Sequence, residues 1–464
     1  MARPIAQAPF RSWSTARVRA AVEQIRRAAP EPDRITASAW LLLRDDLRSS
    51  VAARIREYLP PTADPSTEPA WAIEHLVSQW TDSVSQFLNH LAEDTMLLQD
   101  AFGPRFEGGP VTGIRTGLSD PHAGGHTVIA WKTAQGEFYF KPRDAGVEVR
   151  FMALLKQLGG LDPELGWRMP RLVSSGGHAW MTGVIPQSGP RRLTSRLGRR
   201  LGMLLGLLDG LQAADCHAEN LLVRGERPFL VDLETLCHPT LPWEPPRSRD
   251  PGDPASLLRV GLLPAPRRSD DGRWRDQGGV TSAGIALERL APSIEQGFVT
   301  MYRRFARNGE WRDVIDQFHE AVSGHRTRVL LRATERYRAA LRTSGALTLA
   351  PRPEREWALQ QALGRRADGG ASPVPESIRS AETRALAALE IPRFTADPTG
   401  TAVHGPAGER FAGLCRASGI ERSRVRLGCH SESDLERRRA VIRTALGLGQ
   451  LLAAMEQPAA DREA

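Results

Sequence analysis

The sequence predicts an α+β protein in which an N-terminal helical domain precedes a two-lobed body. Three features predict it. Apolar residues recur at three- and four-residue spacing as far as about residue 105. The period then shortens to two, and beyond a short polar segment near residue 220 helical spacing returns. The expected units are 1–105 for the helical domain, 106–190 for the first lobe and 191–464 for the second.

The elements follow in chain order. Helices are expected over 16–29, 37–59 and 70–102, divided by breaks such as Pro60-Pro61. Trp71, Ile73, Leu76, Trp80, Val84, Phe87 and Leu91 form a stripe that reads as core packing. Residues 127–132 and 137–141 are strand-like runs joined by a turn at Gln135-Gly136. A helix over 145–158 carries Glu148 in its first turn, and 179–185 reads as a strand. A buried helix over 196–212 leads to a loop at Asp215, and a hairpin follows around Gly225. Residues 243–280, rich in Pro, Arg, Asp and Gly, read as loop. Helices resume over about 284–345, a second loop covers 365–378, and a mixed terminal region ends in a helix over 434–455. No internal repeat is visible.

Composition narrows the functional classes. Charged residues make up 25% and hydrophobic ones 41%, the balance of an ordinary soluble globular protein. The net charge of +8 suits ATP or an acidic peptide, but no basic run is interleaved with aromatics, so nucleic acid is not expected. Met1-Ala2-Arg3-Pro4 leads into no signal-like apolar core, and the apolar stretch 201–211 contains three glycines and Asp209. No membrane association is expected. Cys216, Cys237, Cys415 and Cys429 form no CxxC pair, which points to the cytoplasm, and Cys429-His430 lacks a second ligand pair at zinc spacing.

The chemistry sits in four residues. Asp215 stands five residues before Asn220, and Asp232 closes the short apolar run of 229–231. That order is how a kinase-like fold holds a base for a hydroxyl and two ligands for magnesium. Lys141, ending a strand, would hold the ATP phosphates. Each residue alone is weak, because a lysine after a strand is usually solvated and Asp215 and Asn220 alone could simply order a turn. Two departures from protein kinases stand out. No GxGxxG precedes Lys141, Gly108-Gly109 and Gly124-Gly125 being the nearest glycine pairs. Asp232-Leu233-Glu234 replaces Asp-Phe-Gly, so Glu234 adds a carboxylate that could serve as a base or a second ligand.

Several segments together resemble the dehydratase domain of class II lanthipeptide synthetases, the LanM type. They are Asp120-Pro121-His122, Phe140-Lys141-Pro142-Arg143, Asp215-x-His217-x-x-Asn220 and Val231-Asp232-Leu233-Glu234-Thr235. The run 258–264, the run 328–337 and Glu390-Ile391-Pro392-Arg393-Phe394 extend the likeness in family order across roughly 110–450. The resemblance implies a lipid-kinase-like two-lobed fold, ATP and Mg2+, and a leader-bearing precursor peptide as substrate. Its Ser and Thr would be phosphorylated, then lose phosphate to give dehydroalanine or dehydrobutyrine. Arg328, Thr334 and Arg336 match the family's elimination residues, and Asp120 and His122 match positions tied to the same step. His217 would orient Asp215 or the substrate. All three of Arg328, Thr334 and Arg336 are even-numbered, so an extended backbone would face them one way. Strand or loop is therefore expected through Thr334, with that threonine at the cap of a following helix.

Departures from the family matter too. The chain ends at Ala464 without room for a cyclase domain, so it is not expected to close rings itself; it would work with a separate cyclase or leave dehydroamino acids as the product. The stretch before Lys141 is shorter than in typical members, and Glu390 replaces an aspartate. Two other readings compete: a peptide kinase that stops at the phosphate ester, and an inactive scaffold that binds peptide.

Overall fold

A computed structural model describes residues 15–59, 69–103, 106, 108–184, 194–217, 219–244, 249–268, 274–276, 278–282, 287–365 and 370–456. The segment Met1-Ala2-Arg3-Pro4 lies outside these residues. The chain is α+β, as its periodicity predicts.

Four helices come first: α1 (Thr15–Ala28), α2 (Ala37–Tyr58), α3 (Ala70–Glu93) and α4 (Thr95–Phe102). Thr36 starts α2 by accepting the Ala39 N–H on its hydroxyl, one of the orphan donors of a helix start. The helix expected over 70–102 is in fact two. It breaks at Asp94, whose carboxylate accepts Trp180 Nε1–H at 2.7 Å and bonds His178 Nε2 at 2.5 Å, so the break is tied to the sheet.

That sheet has five antiparallel strands in the order β1 (Gly113–Arg115), β2 (Ile129–Thr133), β3 (Gly136–Lys141), β5 (His178–Thr182), β4 (Leu172–Ser175). β2, β3 and β5 match expected strands. β1 and β4, at three and four residues, are too short to show alternation and are defined by their pairing. Helix α5 (Gly146–Leu161) crosses between β3 and β4.

The stripe on α3 does what its spacing predicts. Leu76, Val84, Phe87 and Leu91 are buried with Trp131, Phe138, Phe140 and Trp180 of the sheet in one core, which also takes Tyr337, Leu341, Leu359 and Ile391 from far along the chain. Trp131 and Phe138 stack at 4.7 Å between ring centroids. Full burial of such rings contributes roughly 1.5–3 kcal/mol each, enough to fasten the sheet to the helices behind it.

The remainder is built on α6 (Ser195–Gly210), the hairpin β6 (Leu221–Arg224)–β7 (Arg227–Leu230) and α8 (Leu287–Arg307) with α9 (Gly309–Ala321). The glycines of α6 have a packing reason: a Cβ on Gly202 would stand 1.8 Å from the Ile294 carbonyl oxygen, so the α6 and α8 backbones touch. Residues 243–280 are not all loop, because a 3-10 helix (Pro254–Val260), the hairpin β8 (Pro266–Arg268)–β9 (Trp274–Asp276) and the short α7 (Gly279–Ser282) occupy part of them. Nor is 284–345 all helical. Strand β10 (Thr327–Val329) interrupts it, pairing with β11 (Phe394–Ala396) in a second sheet completed by β12 (Val403–His404) and β13 (Arg410–Phe411). Helices α10 (Thr334–Ser344), α11 (Arg352–Gly364), α12 (Glu376–Ala387), α13 (Gly419–Gly428) and α14 (Glu432–Glu456) complete the chain. Among the described residues no helix is long and apolar enough to cross a membrane.

Candidate active site

A cavity of about 450 Å³ opens between the five-stranded sheet and the elements that follow it. Every residue proposed for the chemistry reaches its walls except Arg336: Asp120, His122, Lys141, Asp215, His217, Asn220, Asp232, Glu234, Arg328 and Thr334 all line it.

On the sheet side, Lys141 ends β3 and is 3% exposed. Its ammonium donates to Glu148 Oε1 at 3.0 Å and to the Val231 carbonyl at 2.9 Å. Glu148, in the first turn of α5, also takes Arg143 Nη1 on Oε2 at 2.6 Å. Burial works against this carboxylate, but Arg143 and Lys141 together hold it down to about 2. A buried acid with two cationic partners stays ionised and fixes the lysine in one place.

The loop after α6 supplies Asp215, His217 and Asn220. Asp215 has φ of +61°, a left-handed conformation that aspartate tolerates better than most residues. Neighbouring backbone holds it there: Asp215 N–H donates to Arg259 O at 3.3 Å and Cys216 N–H to Val260 O at 2.7 Å. Gly261 permits that contact, since a Cβ on it would stand 3.0 Å from Cys216 N. Asn220 Nδ2 donates to the Asp215 carbonyl at 2.8 Å, leaving its amide oxygen as the acceptor. His217 Nε2 is 3.8 Å from Asp215 Oδ1. Burial raises the Asp215 carboxyl above its ordinary value against the pull of His217 and Arg328, which suits a group that takes up a proton.

Asp232 and Glu234 follow β7. Asp232 Oδ1 accepts Arg143 Nη2 at 2.9 Å and the Glu234 N–H at 3.1 Å. Asn220 and Asp232 thus bring hard oxygen donors to one cavity, the ligand type magnesium prefers. Among the described residues no three His, Cys, Asp or Glu side chains gather as a metal cluster, so Asp232 would need waters or phosphate oxygens to complete a coordination shell.

Glu234, expected as a base or a second ligand, is held by three arginines. Its Oε1 takes Arg328 Nη1 at 2.7 Å, while Oε2 takes Arg393 Nη2 at 3.1 Å and lies 3.2 Å from Arg143 Nε. Burial alone would raise this carboxyl, yet Arg328, Arg143 and Arg393 hold it well below the usual carboxylate range. So strongly held an anion is a poor proton acceptor near neutral pH.

Arg328 sits on β10, with its backbone N–H on the Glu234 carbonyl at 2.5 Å. The strand ends at Val329, the chain bends at Leu331 and Arg332, and Thr334 opens α10. Ala333 occupies the cap position and no side chain caps the helix, so the expected capping role of Thr334 is not observed. Because the strand ends at Val329 and the helix begins at Thr334, the even-numbered alternation does not reach Arg336. Arg336 turns to the α11 side instead, donating to the Ala362 carbonyl at 2.6 Å and the Arg365 carbonyl at 2.5 Å.

Asp120 and His122 stand on the loop between β1 and β2. Asp120 Oδ1 is paired with Arg338 Nη2 at 2.8 Å, and Arg338 also reaches Glu57 of α2 at 2.6 Å. His122 Nδ1 lies 2.6 Å from the Ile391 carbonyl. A carbonyl can only accept, so Nδ1 carries the proton and Nε2 keeps a lone pair. Burial, reinforced by the charge of Arg328, pushes this imidazole down to about 4. A testable consequence follows from the sign of that shift. Between pH 6.5 and about 4 the unfolded chain takes a proton at His122 that the folded protein refuses, so acid favours unfolding through this group. Urea denaturation over that range should show wild type losing stability more steeply than His122→Asn, and equal slopes would contradict the buried neutral imidazole.

Three residues matter more than the sequence alone reveals: Glu148, Arg143 and Arg393. Glu148 had a usable signal, an acid in the first turn of the helix after the lysine strand. Arg143 and Arg393 stood inside recognisable motifs, but nothing local distinguishes them from other arginines in this Arg-rich chain.

These features define an α+β protein whose cleft gathers a lysine, five carboxylates and three arginines, the lysine held from behind by Glu148. The chain matches the family described as "Domain of unknown function (DUF4135)" over residues 70–290 and 281–397. It belongs to that family. The chain matches no curated protein.

Proposed function

We propose that this chain is an ATP-dependent peptide dehydratase of the class II lanthipeptide synthetase type, built on a kinase-like frame. The observation that carries the reading is the convergence on one cavity of Lys141 with its Glu148 partner, Asp215, Asn220 and Asp232. A strand lysine paired with a helix glutamate, a loop aspartate and two magnesium ligands are the working parts of phosphoryl transfer.

Asp215 would accept the proton of a Ser or Thr hydroxyl as its oxygen takes the γ-phosphoryl group, leaving a phosphate ester and ADP. Lys141, held by Glu148, would fix the nucleotide phosphates. Asn220 and Asp232 would hold Mg2+, which when bound neutralises charge on the transferred group. Elimination then needs a base for the α-hydrogen and a cationic clamp for the leaving phosphate. His122 Nε2 has a free lone pair and Arg328 has the charge, and both residues line the cavity. The α-proton would pass to a base in the cavity, its electron pair would form the C=C bond, and the Cβ–O pair would leave with phosphate; His122, held down at about 4, is too weak a base for that step and would orient the ester through Nε2. Asp120, bound to Arg338, would position the His122 loop. The precursor would be a leader-bearing peptide. The four free cysteines suit the cytoplasm, where such peptides are made.

A reading that stops at the phosphate ester gains support from one observation, the placement of Arg336 outside the cavity. Mass spectrometry separates the two. With ATP, magnesium and a leader-bearing peptide, loss of water from Ser or Thr is the expected product, and phosphate gain alone would favour the shorter reaction. Calorimetry with Mg2+ and a non-hydrolysable ATP analogue needs no peptide. Failure of wild type to bind the analogue at millimolar concentration would end both readings.

A further inference from the structure

Three guanidinium groups around one carboxylate is an unbalanced arrangement. Arg328, Arg143 and Arg393 all contact Glu234, at 2.7, 3.2 and 3.1 Å. Arg143 has other anions to satisfy, Glu148 and Asp232. Arg393 has none: Glu234 is its only ion-pair partner among the described residues, and its Nε is buried without a hydrogen-bond partner. A buried guanidinium N–H without an acceptor is costly, so such a group marks a place where an anion would be stabilised.

The register of the second sheet sets the spacing. β10 pairs with β11 so that Arg328 lies opposite Thr395 and Val329 opposite Phe394, which brings Arg393, just before β11, beside Arg328. Both reach the cavity wall together with Thr334, whose hydroxyl adds a neutral donor. Two planar forks and a hydroxyl match the three oxygens of a phosphate dianion, and arginine is the residue best shaped for that contact.

We propose that Arg393, with Arg328, forms a phosphate-dianion subsite in which the Glu234 carboxylate competes for the same guanidinium donors. Glu234 acts there as a tethered anion: it keeps the two arginines aligned and weakens phosphate binding enough for the ion to leave. Arg393 is a direct phosphate ligand. The use of the subsite by a phosphorylated Ser or Thr rests on the dehydratase reading, whereas the subsite itself does not.

The test measures binding, not turnover. Inorganic phosphate is titrated into the full chain by calorimetry, with an acetylated, amidated phosphoserine residue as competitor. Glu234→Gln should bind phosphate about tenfold tighter than wild type, since one competing charge is gone, and Arg393→Gln in that background should reverse the gain. Arg393→Lys should restore only part of it, because lysine keeps the charge but not the fork. Thermal unfolding of each variant checks that it is folded. Competition by phosphoserine identifies a monoester as the ligand. Its absence identifies free phosphate, and the subsite stands either way. Unchanged affinity in folded Glu234→Gln, or in folded Arg393→Gln, overturns the proposal. Dehydration by wild type alongside that result would leave the activity standing and remove only the subsite.

Discussion

Under the proposed mechanism, Arg328→Ala should accumulate phosphopeptide in place of dehydrated product, while Asp215→Ala should leave the peptide untouched. The two residues line the same cavity, and in the proposed mechanism they act on different atoms. Removing the acceptor for the hydroxyl proton costs roughly 10²–10⁴ in the phosphorylation rate. Removing a charge aimed at the leaving oxygen costs elimination on the order of 10²–10³. Arg328→Ala should still fold, because Glu234 keeps Arg143 and Arg393 as partners. The decisive control is a synthetic phosphopeptide. Asp215→Ala should dehydrate it at close to the wild-type rate, since that variant lacks only the first step. Dehydration of ordinary peptide by Arg328→Ala at full rate would refute the assignment of the clamp.

Asp209→Ala should produce the largest loss of stability, about 3–5 kcal/mol, by urea denaturation. Asp209 lies near the end of α6 and is 2% exposed. It pairs with Arg426 Nε at 2.6 Å and with Arg438 Nη1 at 3.0 Å, and both arginines are 1% exposed or less. Asp434 is the other acid in the knot, 3.1 Å from Arg426 and 3.2 Å from Arg438. Burial would raise the Asp209 carboxyl, but Arg426 and Arg438 keep it below its ordinary value. Without it, two buried guanidiniums share one acid, and uncompensated charge in a dry interior is expensive. The knot pins α13 and α14 to α6, six residues before Asp215. Loss of less than about 1 kcal/mol would show that water reaches the knot.

Much of this was legible in the residues. The α3 stripe, the β2–β3 hairpin, the buried helix before Asp215 and the hairpin after it are local patterns, and local backbone preference makes them. The order Lys141, Asp215, Asn220, Asp232 was legible for the same reason, since each stands at the end of a recognisable element. The short strands β1, β10, β11, β12 and β13 were not. A run of two or three residues has no period, and its pairing is decided by segments as distant as Val329 and Phe394.

Arg336 shows where local reasoning stops. Its even number aligned it with Arg328 only while the chain stayed extended, and a helix start at Thr334 turned it away. Conversely Arg393, with no local mark, reaches Glu234 across 159 residues. The sequence by itself determined the α+β class, the order of the longer elements and the identity of the chemically able side chains, because propensity and periodicity act over a few residues. Only the tertiary structure decided which charges meet. Ion pairing inside a buried cavity depends on distance in space, and no spacing along the chain encodes three arginines closing on one carboxylate.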